Sequence, residues 1–422
     1  MTIDIQSIGK NGKAASVKLA HAPTVQKNKF LDCLSEMLIE KMDLILKANE
    51  EDYSASQGTL SSFMLDRLKL TKERIEGIAR GVQNVKNLPD PIGEVFDSSV
   101  TPDGLTLHKE RIPIGVIAVI YESRPNVTID SAALLVKSGN AAILRGGKET
   151  IRTNSVFISL IQESLQKADL PADCVQAILS PDHALVGELL QMDEYINMLI
   201  PRGGAKLHDF CRKNSRIPVI TGGIGVCHLY VDESADLTKC LPVIENAKVQ
   251  RPTVCNALEI LLVNQKIAEK FIPMVCSYLA KDGVEFRGDA ETCEILNRAS
   301  LPDVKFAPAA ENDFDHEWLS LVLSIHIVPD LDHAIEHIRL HGTNHSDGIL
   351  TETEEHARRF TSEVNSAAVY VNSSTRFTDG GCFGLGAEIA ISTQPLHARG
   401  PMGLKELTTY KWVASGNYSI RK

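Results

Sequence analysis

IGVIAVIYESRPNVTIDSAALLVKSGNAAILR, residues 114–145, is the stretch that decides the fold. Its first seven residues carry no polar side chain, which suits a strand covered on both faces. A helix is expected from about Thr128 to Ser138, Gly139 ends it, and Ala141 to Leu144 gives a second apolar strand. Strand, crossover helix and strand in this order make a βαβ unit of a parallel sheet. The alternation continues with a helix near 153–168, a strand near Val175 to Leu179, a helix near 183–191, a strand at Ile196 to Ile200 and a helix from about Gly204. The first half therefore reads as a doubly wound α/β domain. Beyond the glycine cluster Gly222, Gly223 and Gly225 a second α/β series follows, with strands near 227–231, 257–263, 321–328, 346–350 and 367–371.

Upstream, Phe30, Leu34, Met37, Leu38, Met42, Ile45 and Leu46 recur at three- and four-residue spacing, which predicts one amphipathic helix over 28–50. Leu65, Leu68, Ile75, Ile78, Val82 and Val85 predict further helix, stopped by Pro89, Asp90 and Pro91. Pro102, Asp103 and Gly104 mark a hairpin between Val95 to Val100 and Leu105 to Ile112, a small β arm. The tail, Leu407 to Ala414, reads as a closing strand that pairs with this arm or with another subunit.

The 422 residues are 43% hydrophobic and 23% charged, which supports two or three ordinary globular cores. A formal charge of −10 gives no basic field for a nucleic-acid backbone, so none is expected as partner. No basic run followed by an apolar stretch opens the sequence and no segment approaches the ~20 apolar residues of a membrane helix, so the chain is expected to be cytoplasmic, without a membrane partner. Nine scattered cysteines (33, 174, 211, 227, 240, 255, 276, 293 and 382) form no CxxC pair, which argues against both a disulfide framework and a zinc-thiolate site. His333, His337, His341 and His345 recur every four residues, but a solvated helix face explains them better than a metal, and no metal is expected.

One cysteine is placed differently from the rest. Cys255 lies in the polar loop Gln250 to Asn256, directly before the largely apolar run Ala257 to Val263, with Arg251 and Lys248 near enough in sequence to favour a thiolate. An inert packing thiol is the alternative. Asn126 ends the loop Tyr121 to Asn126 beyond the first buried strand, where open α/β sheets hold ligands, and its amide suits an oxyanion or a helix cap. Arg145, Gly146, Gly147 and Lys148 end the next strand in a form suited to a ribose phosphate or to a solvated loop. Gly203 and Gly204 open a helix whose first amides suit a pyrophosphate, although no GxGxxG occurs.

In their shared order these segments resemble the γ-glutamyl phosphate reductase family of the aldehyde dehydrogenase superfamily. The resemblance is carried by Asp66 to Leu68 with Leu88 to Pro91, Val119 to Glu149, Pro201 to Gly204, Asn246 to Val263, Asn372 to Thr378 and Phe383 to Thr393. The run His397 to Leu404 followed by Glu406 to Trp412 is the most specific. It implies an aldehyde dehydrogenase-like fold of two doubly wound α/β domains with a small β oligomerisation arm. Residues 1–225 would bind the nicotinamide cofactor, with the arm hairpin at about 97–112; residues 226–395 would be catalytic and 396–422 an oligomerisation segment.

It also makes Cys255 the nucleophile and Asn126 the oxyanion donor. Arg145, Lys148, Gly203, Gly204 and Glu317 become cofactor contacts, and Arg124, Arg376, Gly384 and Gly386 substrate contacts. Lys148 falls near where NAD-preferring relatives carry a glutamate, so NADPH is expected. The reaction implied is reduction of L-glutamyl 5-phosphate to L-glutamate 5-semialdehyde and phosphate, in proline synthesis, by a homo-oligomer functionally coupled to a glutamate 5-kinase. Two departures stand out. Ile220 replaces the superfamily's general-base glutamate, which removes the group that would activate water against a thioester. Cys382 stands where a polar residue is the rule in the substrate loop. Another acylating or simple aldehyde dehydrogenase is the alternative enzyme, and a regulatory nucleotide-binding protein the alternative class; Ile220 and the tail argue against the first, and Cys255, Asn126 and Glu317 together against the second.

Overall fold

The computed structural model describes residues 4–421 except Gly223; Met1 to Ile3, Lys422 and that one member of the glycine cluster lie outside the described residues. The chain divides into two compact units. The first comprises Met1–Thr221, Gly384–Ala390 and Met402–Lys422, the second Gly222–Phe383 and Ile391–Pro401. The second unit is thus not the continuous span 226–395 read from the sequence. Gly384–Ala390 and the tail return to the first unit because they pair with one another and with the arm: Ile389 N–H donates to the Met402 carbonyl at 2.9 Å and Met402 N–H to that of Ala390 at 2.8 Å.

In the first unit a four-stranded sheet runs in the order Val175–Ala177, Ala141–Arg145, Val116–Tyr121, Met198–Arg202. Every pairing in it is parallel. All residues of Val116–Tyr121 and Ala141–Arg145 are buried, as their unbroken apolar reading requires. From the strand Val116–Tyr121 the chain first builds outward on one side and then crosses to add Met198–Arg202 on the other. That reversal creates a switch point at the carboxyl ends of Val116–Tyr121 and Met198–Arg202, the ligand crevice of open α/β sheets.

The helix predicted over 28–50 is two helices, Thr24–Glu40 and Met42–Ser56, divided at Lys41, whose ψ of 19° leaves the helical region. The arm is an antiparallel sheet in the order Val95–Val100, Thr106–Pro113, Thr408–Ser415. The tail strand pairs with the arm of its own chain, from Thr408 opposite Pro113 to Ser415 opposite Thr106. Lys109 Nζ lies 4.6 Å and 5.0 Å from the ring centroids of Tyr410 and Trp412, which hold the register on one face.

The second unit is built on a seven-stranded parallel sheet. Its order is Phe306–Pro308, Glu285–Gly288, Val322–Val328, Leu258–Asn264, Cys227–Val231, Ser346–Leu350, Ala368–Val371. Leu258–Asn264 and Cys227–Val231 lie at its centre, buried throughout. One core packs Leu229, Leu261, Phe271, Phe286 and Leu323; another packs Tyr230, Ile260, Ile349 and Phe360. No helix among the described residues is long and apolar enough to cross a membrane.

Candidate active site

Within the second unit the expected site residues Cys255 and Glu317 lie, with Gly225, at the amino edge of three neighbouring strands. Gly225 precedes Cys227–Val231, Cys255 precedes Leu258–Asn264 and Glu317 precedes Val322–Val328. Cys255 is half-buried. Its loop is short and pinned, closed by Ala257 N–H donating to the Val254 carbonyl at 3.0 Å.

Asn256 fixes the peptide beside the thiol. Its Nδ2 donates to the carbonyls of Thr378 at 3.0 Å and Arg376 at 3.3 Å, its Oδ1 accepts from Arg376 Nη1, and its own carbonyl accepts the Thr375 hydroxyl at 2.7 Å. On the other side a Cβ at Gly225 would overlap the Cys255 carbonyl oxygen, so the backbones touch there and only glycine fits. The Gly225 N–H donates to Glu317 Oε1 at 2.8 Å. Burial pushes the Glu317 carboxyl up, against the pull of that N–H and of His316. Cys255 therefore sits on a backbone held from both sides, as a nucleophile needs.

The other thiols contrast with it. Burial raises those of Cys174, Cys211, Cys227, Cys240, Cys276 and Cys293, which suits packing residues. Cys33 is half-buried and Cys382 exposed. The Cys382 N–H donates to Asp379 Oδ1 at 3.2 Å.

Lys248, read from the sequence as part of a positive field at Cys255, is corrected by the structure: it is fully buried and its Nζ lies 2.5 Å from Glu259 Oε2, also fully buried. Burial lowers Lys248 and pushes the Glu259 carboxyl up to about 7, with Lys248 opposing the latter. The second Glu259 oxygen accepts the Leu319 N–H at 3.3 Å, two residues beyond Glu317, so the pair braces the Glu317 turn. Replacing Lys248 by methionine is expected to destabilise the fold increasingly as pH rises. A buried carboxyl without its cation stays protonated when folded but ionises when unfolded above its ordinary value near 4.5. Stability is then lost at about 1.4 kcal/mol per pH unit up to the raised folded value. Denaturant unfolding at pH 6 and pH 8 checks this; an equal deficit at both would contradict it.

The spaced histidines do not form one solvated face. His333 Nδ1 lies 2.7 Å from Asp330 Oδ1 on the exposed side, while His337 is buried near the rings of Phe314, His326 and His341 and is pushed down to about 2 by that burial. His345 is buried beyond the helix. Among the described residues no group of three or more His, Cys, Asp or Glu side chains is arranged to hold a metal.

In the first unit Arg145 ends and Lys148 follows the strand Ala141–Arg145, and Gly203 and Gly204 follow the strand Met198–Arg202, with Val116–Tyr121 between the two. Arg145 is buried, its guanidinium lowered by that burial, and its Nε and Nη2 have no protein partner. Two orphaned donors at a strand's carboxyl end suit the oxygens of a nucleotide. Lys148 is exposed and begins the short turn Lys148–Thr150. Gly204 precedes the helix Ala205–Asn214, but its N–H already donates to Glu122 Oε2 at 3.2 Å, and a Cβ at Gly203 would strike that same carboxylate. The anion expected at this helix start is thus provided by an exposed side chain of the chain itself, which a pyrophosphate must displace.

Asn126 opens the helix Asn126–Lys137, and its Nδ2 donates to Asp130 Oδ2 at 2.9 Å. One amide hydrogen is so engaged, which orients the group and leaves the second for a ligand. Burial raises the Asp130 carboxyl to about 6. Arg124 lies in the preceding turn, its carbonyl accepting the Val127 N–H at 3.1 Å. Gly384 and Gly386 have φ of 75° and 74°, and a Cβ at Gly386 would strike Leu88, so backbone form and packing account for glycine there. Sequence reasoning missed Gly225, Asn256 and Glu259. Only Glu259, a lone charge in an apolar run, left a readable signal.

Comparison with known proteins shows the family. A model of the aldehyde dehydrogenase family matches residues 3–292. The chain is 54% identical over 418 residues to gamma-glutamyl phosphate reductase of Escherichia coli strain SMS-3-5 / SECEC, covering 99% of this chain and all of that one. The solved gamma-glutamyl phosphate reductase of Thermotoga maritima superposes with a TM-score of 0.96 at 46% identity, each chain covered completely. An acetylating aldehyde dehydrogenase from Geobacillus thermoglucosidasius shares the fold at a TM-score of 0.71 and 19% identity, over 99% of this chain and 98% of that one. The chain belongs to the aldehyde dehydrogenase family, within its gamma-glutamyl phosphate reductase branch.

Proposed function

We propose that the protein reduces L-glutamyl 5-phosphate to L-glutamate 5-semialdehyde and phosphate with NADPH, through a thioester on Cys255. The observation that carries this reading is the half-buried Cys255 loop, clamped by Asn256 and Gly225, in a chain 54% identical over almost its whole length to gamma-glutamyl phosphate reductase. The thiolate attacks the acyl carbon and phosphate departs. The oxyanion formed in between would be held by the Cys255 N–H. By the family resemblance, Glu317 would hold the nicotinamide ribose. Enzymes of this family use nicotinamide cofactors, and bound NADPH would supply the hydride that reduces the thioester. Closure of the released semialdehyde to a cyclic imine needs no protein group, since amine and aldehyde share one molecule.

The preference for NADPH is assigned to Lys148, exposed at its turn, with Arg145 offering its orphaned donors to the same nucleotide. Nine free cysteines suit a reducing compartment, and we place the enzyme in the cytoplasm as a homo-oligomer supplied with acyl phosphate by a glutamate kinase. Phosphate-dependent oxidation of glutamate semialdehyde, assayed with NADP and with NAD, tests this directly. Wild type should favour NADP, and Lys148→Glu should shift kcat/KM toward NAD, since it exchanges attraction for the 2′-phosphate for repulsion. An unchanged ratio places Lys148 outside the cofactor site; no phosphate-dependent turnover with either cofactor overturns the proposed reaction.

A further inference from the structure

We propose that Thr128, Asn154 and Thr150 are positioning residues for the cofactor: a buried chain of hydrogen bonds from the Tyr121 hydroxyl to the Gly147 carbonyl holds the turn Arg145 to Lys148 in the form that receives the dinucleotide's adenosine ribose. The proposal rests on the reading above for the place of the cofactor and goes beyond it in naming what shapes that place. Tyr121 ends the strand Val116–Tyr121 and Thr128 lies in the first turn of the helix Asn126–Lys137. Thr150 precedes the helix Ile151–Lys167 and Asn154 lies in its first turn. All four side chains belong to residues at most 2% exposed. The Tyr121 hydroxyl lies 2.6 Å from Thr128 Oγ1, which donates to Asn154 Oδ1 at 2.7 Å. Asn154 Nδ2 donates to Thr150 Oγ1 at 2.9 Å, and Thr150 Oγ1 donates to the Gly147 carbonyl at 2.9 Å.

Counting hydrogens fixes the direction of the chain. An amide oxygen only accepts, so the single Thr128 hydrogen is spent on Asn154 and the Tyr121 hydroxyl must donate to Thr128. Asn154 in turn supplies the hydrogen to Thr150, which leaves the Thr150 hydrogen for Gly147. With the Asn154 amide turned over, Thr150 would donate to Asn154 instead and the Gly147 carbonyl would lose the hydroxyl. Every link therefore points toward the turn. The Thr150 N–H adds a second bond to the same carbonyl at 3.1 Å. A Cβ at Gly146 would strike Asn154 Nδ2 and lie 3.0 Å from Thr150 Oγ1 and Tyr121 Cε2, so glycine lets the turn rest directly on the chain. Arg145, its Nε and Nη2 without a protein partner, and the exposed Lys148 flank these two glycines. The direction in which each offers its donors follows from how the glycine backbone is held. A buried polar chain costs desolvation that an apolar core of the same shape avoids. What it adds is one defined geometry for the turn, which lowers the ordering cost of binding.

The test is Thr128→Val in the full-length protein, which removes the middle hydroxyl at nearly constant volume, with Thr128→Ser to restore it. Fluorescence titration with NADPH and with NADH gives Kd, and semialdehyde oxidation gives KM and kcat. Thr128→Val should weaken the dinucleotide that the wild type binds more tightly by about tenfold and raise its KM alike. In the same variant, kcat at saturating cofactor and KM for the semialdehyde should stay within about twofold of wild type, and Thr128→Ser should restore the cofactor Kd to within about twofold. Combining Thr128→Val with Thr150→Val should cost little more than either alone, because one cut already frees the turn. Wild-type cofactor Kd in Thr128→Val overturns the proposal, as does an equal loss of cofactor and semialdehyde affinity, which marks a general structural defect. If Thr128→Val does not fold, Thr150→Val cuts the same chain at its last link and carries the same outcomes. Failure of the reading above shows in the wild type instead: tighter NADH than NADPH corrects the cofactor and leaves the variants to be read with NADH, and binding of neither overturns both.

Discussion

Cys255→Ser is expected to abolish reduction while nicotinamide binding stays intact. A thiol supplies an appreciable thiolate fraction near neutral pH, but a serine hydroxyl must be deprotonated by a positioned base. Glu317, the carboxyl next along the strand edge, is committed to the Gly225 N–H, and the family resemblance puts Ile220 where the superfamily carries its base. Serine therefore keeps the shape of the loop without its chemistry. Turnover should fall by several orders of magnitude, and cofactor binding measured by fluorescence titration should change little. Retention of more than about a tenth of wild-type turnover, a loss under ~1.4 kcal/mol, contradicts the assignment.

The strand and helix alternation from Val116 to Asn214 was legible because each buried strand is a continuous apolar run bounded by glycine or a polar turn. The helix Ile5–Leu19 was not, since Gly9 and Gly12 stand at positions it buries and blur the apolar stripe. Glu285–Gly288 and Phe306–Pro308 escaped for another reason: strands of four and three residues are too short to show a period. Cys255 stood out by its polar loop ahead of an apolar strand, whereas Glu317 was assigned only through the family resemblance. The clamp on Cys255 was not legible, because Asn256 meets Arg376 and Thr378 at separations of 120 and 122 residues. Lys248 misled for a related reason, as a lysine near a polar loop looks solvated until its buried partner eleven residues on is placed.

The largest condition-dependent effect follows from Ile220. Water attacks a thioester slowly unless a carboxylate removes its proton, an advantage worth about 10²–10⁴ in rate. Without that group the acyl-enzyme formed from the semialdehyde should wait for phosphate. Ile220 is buried, with its N–H donated to the Leu199 carbonyl at 2.9 Å, so its side chain offers no proton acceptor. Arsenate should replace phosphate as acceptor, because it presents the same charge and oxygen geometry. Rapid mixing of the enzyme with glutamate semialdehyde and NADP in phosphate-free buffer measures this most directly. A burst of NADPH that stops near one equivalent per Cys255 and resumes when phosphate is added is the predicted result; steady NADPH formation without phosphate would contradict a thioester that only phosphate resolves.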